Sequence, residues 1–81
     1  MLNNHCPQIG RNLAAARKHR YPNDTQGDFC VRIGVSRRTY AKMEQGDLSV
    51  TLGKYLRAAR LLGLETAFTE LFAFERSLLD D

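Results

Sequence analysis

The stretch that decides the fold runs from Thr25 to Gly46 and reads TQGDFCVRIGVSRRTYAKMEQG. Its first part predicts a helix, because Thr25 and Asp28 have the spacing of a capping box, which satisfies the free amides where a helix begins. An apolar stripe follows at helical spacing, formed by Phe29, Cys30 and Ile33. Gly34 then stands where a left-handed residue usually closes a helix. We therefore expect a helix over about residues 26–33 and a tight turn after it.

The second part of the stretch predicts a helix whose polar and apolar faces are separate. Ser36 is a good N-cap, so this helix should begin directly after the turn. At 3.6 residues per turn, Tyr40 and Met43 fall on one side and can be buried. The opposite arc holds the long donors Arg37, Arg38 and Lys42, with Ala41 between them. Two arginines in a first turn oppose the helix dipole, which favours an anionic partner over a merely solvated face.

The same stretch resembles the helix-turn-helix of the phage-repressor-like family, also called the Cro or XRE family. The matching residues at fixed spacing are Arg17, Thr25, Gln26, Cys30, Gly34, Val35, Ser36, Glu44 and Gly46. The chain departs from the family pattern at Cys30, where alanine is usual, at Tyr40, where a branched aliphatic residue is usual, and in a longer link over residues 20–24. The resemblance implies an all-α, compact five-helix lambda-repressor-like domain in which helices 2 and 3 form the helix-turn-helix.

The rest of the chain supplies three further helices around the motif. The first should run from near Pro7 to about Arg20, and the fourth should follow a cap at Ser49 and end at Gly63. The final stretch from Glu65 contains no proline or glycine, so it predicts a helix to the end of the chain. We divide the chain into a flexible N-terminal arm (1–6), a helix-turn-helix DNA-binding domain (7–64) and a C-terminal helix for dimerisation (65–81).

Charge is distributed unevenly along the 81 residues, whose formal net charge is +3. Residues 1–60 contain eleven lysines or arginines and four acids, whereas residues 61–81 contain one arginine and five acids. This split predicts a basic surface for a polyanion on the body of the domain and a C-terminal element that faces elsewhere.

Several functional classes lack their residue patterns. The two cysteines form no CxxC motif and no metal-ligand spacing, so we expect no disulfide framework, no metal and no cofactor. We find no Ser/His/Asp set, carboxylate pair or glycine-rich phosphate loop, and we do not expect an enzyme. No signal sequence or membrane-length apolar run is evident, so a cytoplasmic protein without membrane contact is expected.

Candidate DNA contacts follow from the helix faces and from the resemblance. We expect base contacts in the major groove from Arg37, Arg38, Ala41 and Lys42. Phosphate contacts are expected from Thr25, Gln26, Ser36, Lys54 and Arg11. The competing interpretation is that these are ordinary solvated or helix-capping side chains. The resemblance also implies that Arg17 pairs with Glu44 in a structural salt bridge, which would position the motif rather than read DNA.

The C-terminal apolar residues indicate either the closing of a small core or a surface for a second copy. We favour a homodimer interface formed by Phe68, Leu71, Phe72, Phe74, Leu78 and Leu79. The first three of these residues could alternatively serve the core alone.

The predicted function is a sequence-specific regulator that binds double-stranded DNA. It would act as a dimeric repressor that reads a palindromic operator through the major groove and occludes a promoter. The alternative is an antitoxin that binds a protein toxin and autoregulates its operon, because residues 46–53 and the Leu-Gly-Leu after helix 4 resemble family members found beside kinase-like toxins. RNA binding is disfavoured, because the A-form major groove is too narrow for side chains to read.

Overall fold

Five α-helices account for the regular structure of residues 3–75, the part of the chain that the computed structural model describes. They are α1 (Pro7–Arg20), α2 (Gln26–Ile33), α3 (Arg37–Glu44), α4 (Leu52–Leu61) and α5 (Glu65–Thr69). The predicted all-α, five-helix fold, with α2 and α3 as the helix-turn-helix, is confirmed. Within residues 3–75, every helix is too short or too polar to cross a membrane.

Local capping fixes the two helices of the motif. The Thr25 side chain accepts a hydrogen bond from the Asp28 amide, and the Asp28 side chain accepts one from the Thr25 amide, which completes the capping box. Gly34 closes α2 with φ of 72°, a left-handed conformation that glycine adopts without steric cost. Ser36 then caps α3 by accepting from the Thr39 amide. The turn between α2 and α3 is therefore specified by its own residues.

The core lies where the motif helices meet α1 and α4. Phe29 of α2 and Tyr40 and Met43 of α3 are completely buried, and the rings of Phe29 and Tyr40 pack with centroids 5.2 Å apart. Cys30 is a small core residue whose Sγ donates to the Gly27 carbonyl at 3.1 Å. The remaining buried apolar residues are Leu13, Ile33, Tyr55, Ala58 and Leu62. The apolar faces predicted for α2 and α3 are thus the faces that are buried.

The backbone of α1 packs directly on the end of α3. Gly10 is buried, and a Cβ atom placed on it would lie 2.5 Å from the Gly46 nitrogen and 2.7 Å from the Glu44 carbonyl carbon. Real Cβ atoms do not approach other atoms this closely. Only a glycine at this position allows α1 to lie against the carboxyl end of α3.

The long link between α1 and α2 is held by an aromatic and charged cluster. Arg32 pairs with Asp24 at 2.6 Å, and its guanidinium lies 4.3 Å from the centroid of the Tyr21 ring. Tyr21 in turn packs on Phe29, with ring centroids 5.7 Å apart. The link is therefore attached to α2.

The residues that precede α1, which the sequence predicts to be a flexible arm, make backbone contacts with the loop after α3. The Cys6 amide donates to the Gly46 carbonyl at 2.8 Å, and the Leu48 amide donates to the Asn4 carbonyl at 2.7 Å. His5 and Asp47 form an antiparallel bridge between these two hydrogen bonds. Residues 4–6 are thus paired with the loop that follows α3, which satisfies the Cys6 amide and the Asn4 carbonyl. Met1 and Leu2 lie outside the described residues.

Two boundaries differ from the sequence prediction. The N-cap of α4 is Thr51 rather than Ser49, because the Ser49 amide and hydroxyl both bind Oδ1 of Asp47, at 2.8 and 2.7 Å, in a turn. The C-terminal helix predicted over 65–81 ends at Thr69, and Phe72 has a left-handed φ of 65°. The α5 helix buries no residue, so tertiary packing gives residues 70–75 little reason to remain helical. Residues 76–81 are not described.

Candidate nucleic-acid interface

The outer surface of α3 carries the predicted base-reading side chains. Arg37, Arg38 and Lys42 are all exposed, and Ala41 between them is half-buried. Within residues 3–75, none of the three cations forms a salt bridge with an acid. Their charge is therefore available to an anion rather than neutralised within the domain.

The Arg37 side chain lies beside the preceding helix. A Cβ atom placed on Gly27, in the first turn of α2, would lie 3.0 Å from Arg37 Nε and 3.1 Å from its Cζ. The guanidinium of Arg37 therefore lies against the backbone of α2. This side chain bridges the two helices of the motif.

The predicted phosphate contacts at the starts of α2 and α3 also have structural tasks. The hydroxyl oxygens of Thr25 and Ser36 each accept from a backbone amide, at 3.1 and 3.0 Å, and both residues are exposed. Gln26 is half-buried, and its Nε2 donates to Glu44 Oε1 at 2.7 Å. The Gln26 amide nitrogen is thus committed to another side chain of the domain.

The two remaining phosphate candidates lie outside the motif helices. Lys54 is half-buried near the start of α4, and Arg11 is exposed on α1. Arg11 donates to the side-chain oxygen of Gln8 at 2.9 Å, one turn earlier on the same helix. Both cations are positioned by helices that pack around the helix-turn-helix.

Arg17 and Glu44 form a buried salt bridge that supports α3 from behind. Arg17 Nε donates to Glu44 Oε2 at 2.6 Å and its Nη2 donates to Oε1 at 3.3 Å, with side chains only 8% and 7% exposed. The hydroxyl of Tyr40 donates to Oε2, and Gln26 donates to Oε1 as described above. One carboxylate therefore accepts from side chains of α1, α2 and α3.

The environment of this carboxylate changes three pKa values. Burial by itself would raise the pKa of Glu44, but hydrogen bonds from Arg17, Tyr40 and Gln26 outweigh it and lower that pKa below its usual value. The hydrogen bond to Glu44 raises the pKa of Arg17. Burial and the adjacent carboxylate raise the pKa of Tyr40, so its hydroxyl remains a donor. The Glu44 carboxylate is therefore stable in its charged form and holds the end of α3 against α1 and α2.

The resemblance implied the Arg17 and Glu44 pair, but sequence reasoning missed its other partners. Tyr40 stands four residues before Glu44, so the two share one face of α3, and this spacing was a usable signal. Gln26 lies eighteen positions from Glu44 in sequence, and no local pattern joins them.

The protein-family model of a helix-turn-helix domain matches residues 8–72 of the chain. The chain belongs to the Cro/XRE-type helix-turn-helix family. No curated protein and no solved structure gives a significant match. The helix-turn-helix domain indicates a DNA-binding regulator, and the outward cations on α3 are consistent with that activity.

The last part of the described chain, residues 68–74, displays apolar side chains. Phe68 is half-buried and packs on the core, Leu71 is 46% exposed, and Phe72 and Phe74 are 95% and 75% exposed. Leu78 and Leu79 lie outside the described residues. An apolar groove of 260 Å³ lies between α1, α4 and α5. Its lining includes Ile9, Leu48, Leu52, Leu64, Phe68 and Leu71.

Proposed function

We propose that this helix-turn-helix domain is a sequence-specific transcriptional regulator that binds double-stranded DNA as a dimer and represses transcription. The observation that carries the proposal is the exposed cationic arc of α3, whose side chains are not neutralised by acids of residues 3–75. A buried salt bridge supports the same helix from the opposite side. A rigid helix with free donors can enter the major groove, where base edges can be distinguished.

The proposed contacts divide between bases and phosphates. Arg38, Ala41 and Lys42 face the bases, where an arginine can bind guanine through two hydrogen bonds and a methyl group can contact thymine. The exposed capping residues Thr25 and Ser36 lie at helix starts, where a phosphate oxygen can meet backbone amides. Lys54 and Arg11 would add phosphate contacts from the flanking helices. For Gln26, the bond to Glu44 supports a positioning role in addition to any contact through its remaining oxygen.

Dimerisation is supported by the exposed aromatic residues beside the apolar groove. Two exposed phenylalanines, Phe72 and Phe74, and the rims of the groove leave apolar surface in contact with water. A second copy of the chain offers the matching surface by two-fold symmetry, because each copy has both the groove and the aromatic side chains. Two copies would read two half-sites about 34 Å apart, as expected for a palindromic operator. The simplest effect of such a complex on transcription is repression, because the bound dimer would occlude the promoter.

Selection of binding sites from a random pool of DNA duplexes tests the proposal. The wild-type chain should enrich a palindromic sequence, and a variant with Arg38→Ala and Lys42→Ala should enrich none while keeping its helical circular dichroism. A wild-type chain that enriches no sequence would contradict the proposal. Sedimentation at micromolar concentration should show a dimer, and Phe72→Ser with Phe74→Ser should shift it to a monomer. Thr69→Ser with Glu70→Gln provides a matched control near the same surface.

The second candidate function is an antitoxin, and the same groove is the observation that favours it. An antitoxin would use this apolar surface to hold a protein toxin and would keep DNA binding for autoregulation. Purification of the chain together with its genomic neighbours separates the two functions. The antitoxin function would be favoured if the chain forms a stable complex with a second protein, inhibits the activity of that protein, and is a monomer when free. These results would contradict the dimeric repressor.

A further inference from the structure

We propose that Arg37 contacts the DNA backbone, whereas Arg38 and Lys42 contact base edges. The inference rests on the proposed function, because it divides the same exposed surface of α3 into two roles. It changes the assignment that the sequence gave to Arg37. The three cations stand within six positions of one helix, so sequence alone placed them in one group.

The position of the Arg37 side chain is the first step. Its Nε and Cζ atoms would lie 3.0 and 3.1 Å from a Cβ at Gly27, and its Nη2 atom would lie closer still. The guanidinium is therefore drawn back over the first turn of α2 instead of extending away from the domain. A side chain that reads a base edge must extend from the helix into the groove.

The identity of residue 27 is the second step. Gly27 lies inside α2 and does not have a positive φ, so its backbone conformation does not require glycine. Glycine within a helix is less favourable than alanine. Any larger residue would overlap the Arg37 guanidinium at the distances given above. A side chain at residue 27 would therefore crowd the Arg37 guanidinium and displace it from its place over α2.

The N–H donors of the Arg37 guanidinium are the third step. The nearest acid of α2 in sequence, Asp28, uses its carboxylate in the capping box with the Thr25 amide. Arg37 forms no salt bridge within residues 3–75, so its N–H donors are available to an external anion. A planar guanidinium presents paired donors that match two phosphate oxygens. A phosphate contact positions the protein but carries no base information.

The test compares single variants on two duplexes, the selected operator and a scrambled sequence of the same composition, over a range of salt concentrations. Arg37→Ala should weaken binding to both duplexes by the same factor and lower the slope of log K against log salt by about 1. Site selection with this variant should return the wild-type motif. Arg38→Ala is the matched control. It should weaken binding to the operator more than binding to the scrambled duplex, and it should relax the preference at one base position.

Gly27→Ala supplies a second, independent variant. Its methyl group should displace the Arg37 guanidinium and weaken binding to both duplexes, although the substitution favours the helix. Thermal unfolding confirms that this variant is folded. Unchanged binding by Gly27→Ala, or by Arg37→Ala, would overturn the inference.

The outcomes separate the inference from the function on which it rests. If Arg37→Ala relaxes a base position on an operator that the wild type binds, Arg37 reads bases and only this inference fails. If the wild-type chain binds no duplex, the proposed function itself fails.

Discussion

Arg17 of α1 and Glu44 at the end of α3 are joined by two hydrogen bonds, of 2.6 and 3.3 Å, in a site that excludes most solvent. Gln26 at the start of α2 donates to the same carboxylate at 2.7 Å. The relative positions of three helices therefore depend on one charged group. Because α3 carries the exposed cations, this group positions the surface that we propose to contact DNA.

Removal of one member of this pair should strongly destabilise the domain. Arg17→Ala leaves the Glu44 carboxylate buried without its cation, and we expect the free energy of unfolding to fall by about 3 to 5 kcal/mol. Urea unfolding followed by circular dichroism measures this change. The control is Arg60→Ala, which breaks the exposed pair with Glu65 (59% and 50% exposed) and should cost less than about 1 kcal/mol. Equal effects would show that the buried bridge contributes no more than a surface pair.

Stability should fall in acid, in part through Glu44. Because the pKa of Glu44 is lowered in the folded state, its contribution is complete above the pKa of the unfolded chain, about 4.3, and is lost as the pH falls through the folded value. Glu44→Gln should be less stable at pH 7 and should lose less further stability between pH 5 and pH 2. Unfolding measured at several pH values tests this. The exposed Glu70→Gln should follow the wild-type profile, and an identical profile for Glu44→Gln would contradict the prediction.

Gly10 should tolerate no side chain, although alanine has the higher helix propensity. The methyl group of Gly10→Ala would meet the backbone of Glu44 and Gly46, so we expect a loss of about 1 to 3 kcal/mol or more. Gly53 in α4 is the matched control, because a Cβ there would lie 3.9 Å from its nearest neighbour, Thr51 Oγ1. Gly53→Ala should be neutral or stabilise by up to about 1 kcal/mol. Equal melting temperatures for the two variants would contradict the packing of α1 on α3.

The bounds of α2 and α3 were predictable because their signals are local. The capping box at Thr25, the closing Gly34 and the cap at Ser36 each act within four residues, and the structure has all three in these roles. The resemblance paired Arg17 with Glu44, which lie 27 positions apart, and the structure has them in direct contact. No pattern within either helix would have joined them.

The features that sequence reasoning missed depend on contacts between distant segments. The Cys6 amide donates to the Gly46 carbonyl, and nothing in the first six residues signals that partner. The end of α5 has no proline or glycine to mark it, and none of the residues of this short helix is fully buried. The Arg37 guanidinium lies beside Gly27, a residue of the preceding helix that no pattern within α3 identifies.

Substitution of Arg38 should change sequence preference. The side chain is exposed on α3 and forms no salt bridge within residues 3–75, so it can bind a base edge without giving up an internal partner. Arg38→Ala should weaken operator binding by about 1 to 3 kcal/mol and relax one base position. Fluorescence anisotropy on the selected operator and its single-base variants measures both effects. Unchanged affinity would remove Arg38 from the reading surface.

Substitution of Lys54 should instead weaken binding to all DNA sequences by the same factor. Lys54 stands near the start of α4, outside the motif helices, so we expect it to neutralise a phosphate rather than to read a base edge. Lys54→Ala should lower affinity for the operator and for a scrambled duplex by the same factor and reduce the salt slope by about 1. Lys18→Ala removes the same charge from the exposed end of α1 and should leave the slope unchanged, which separates a direct contact from a change in net charge. A loss confined to the operator, or equal slopes for the two lysine variants, would show that Lys54 does not contact the DNA backbone.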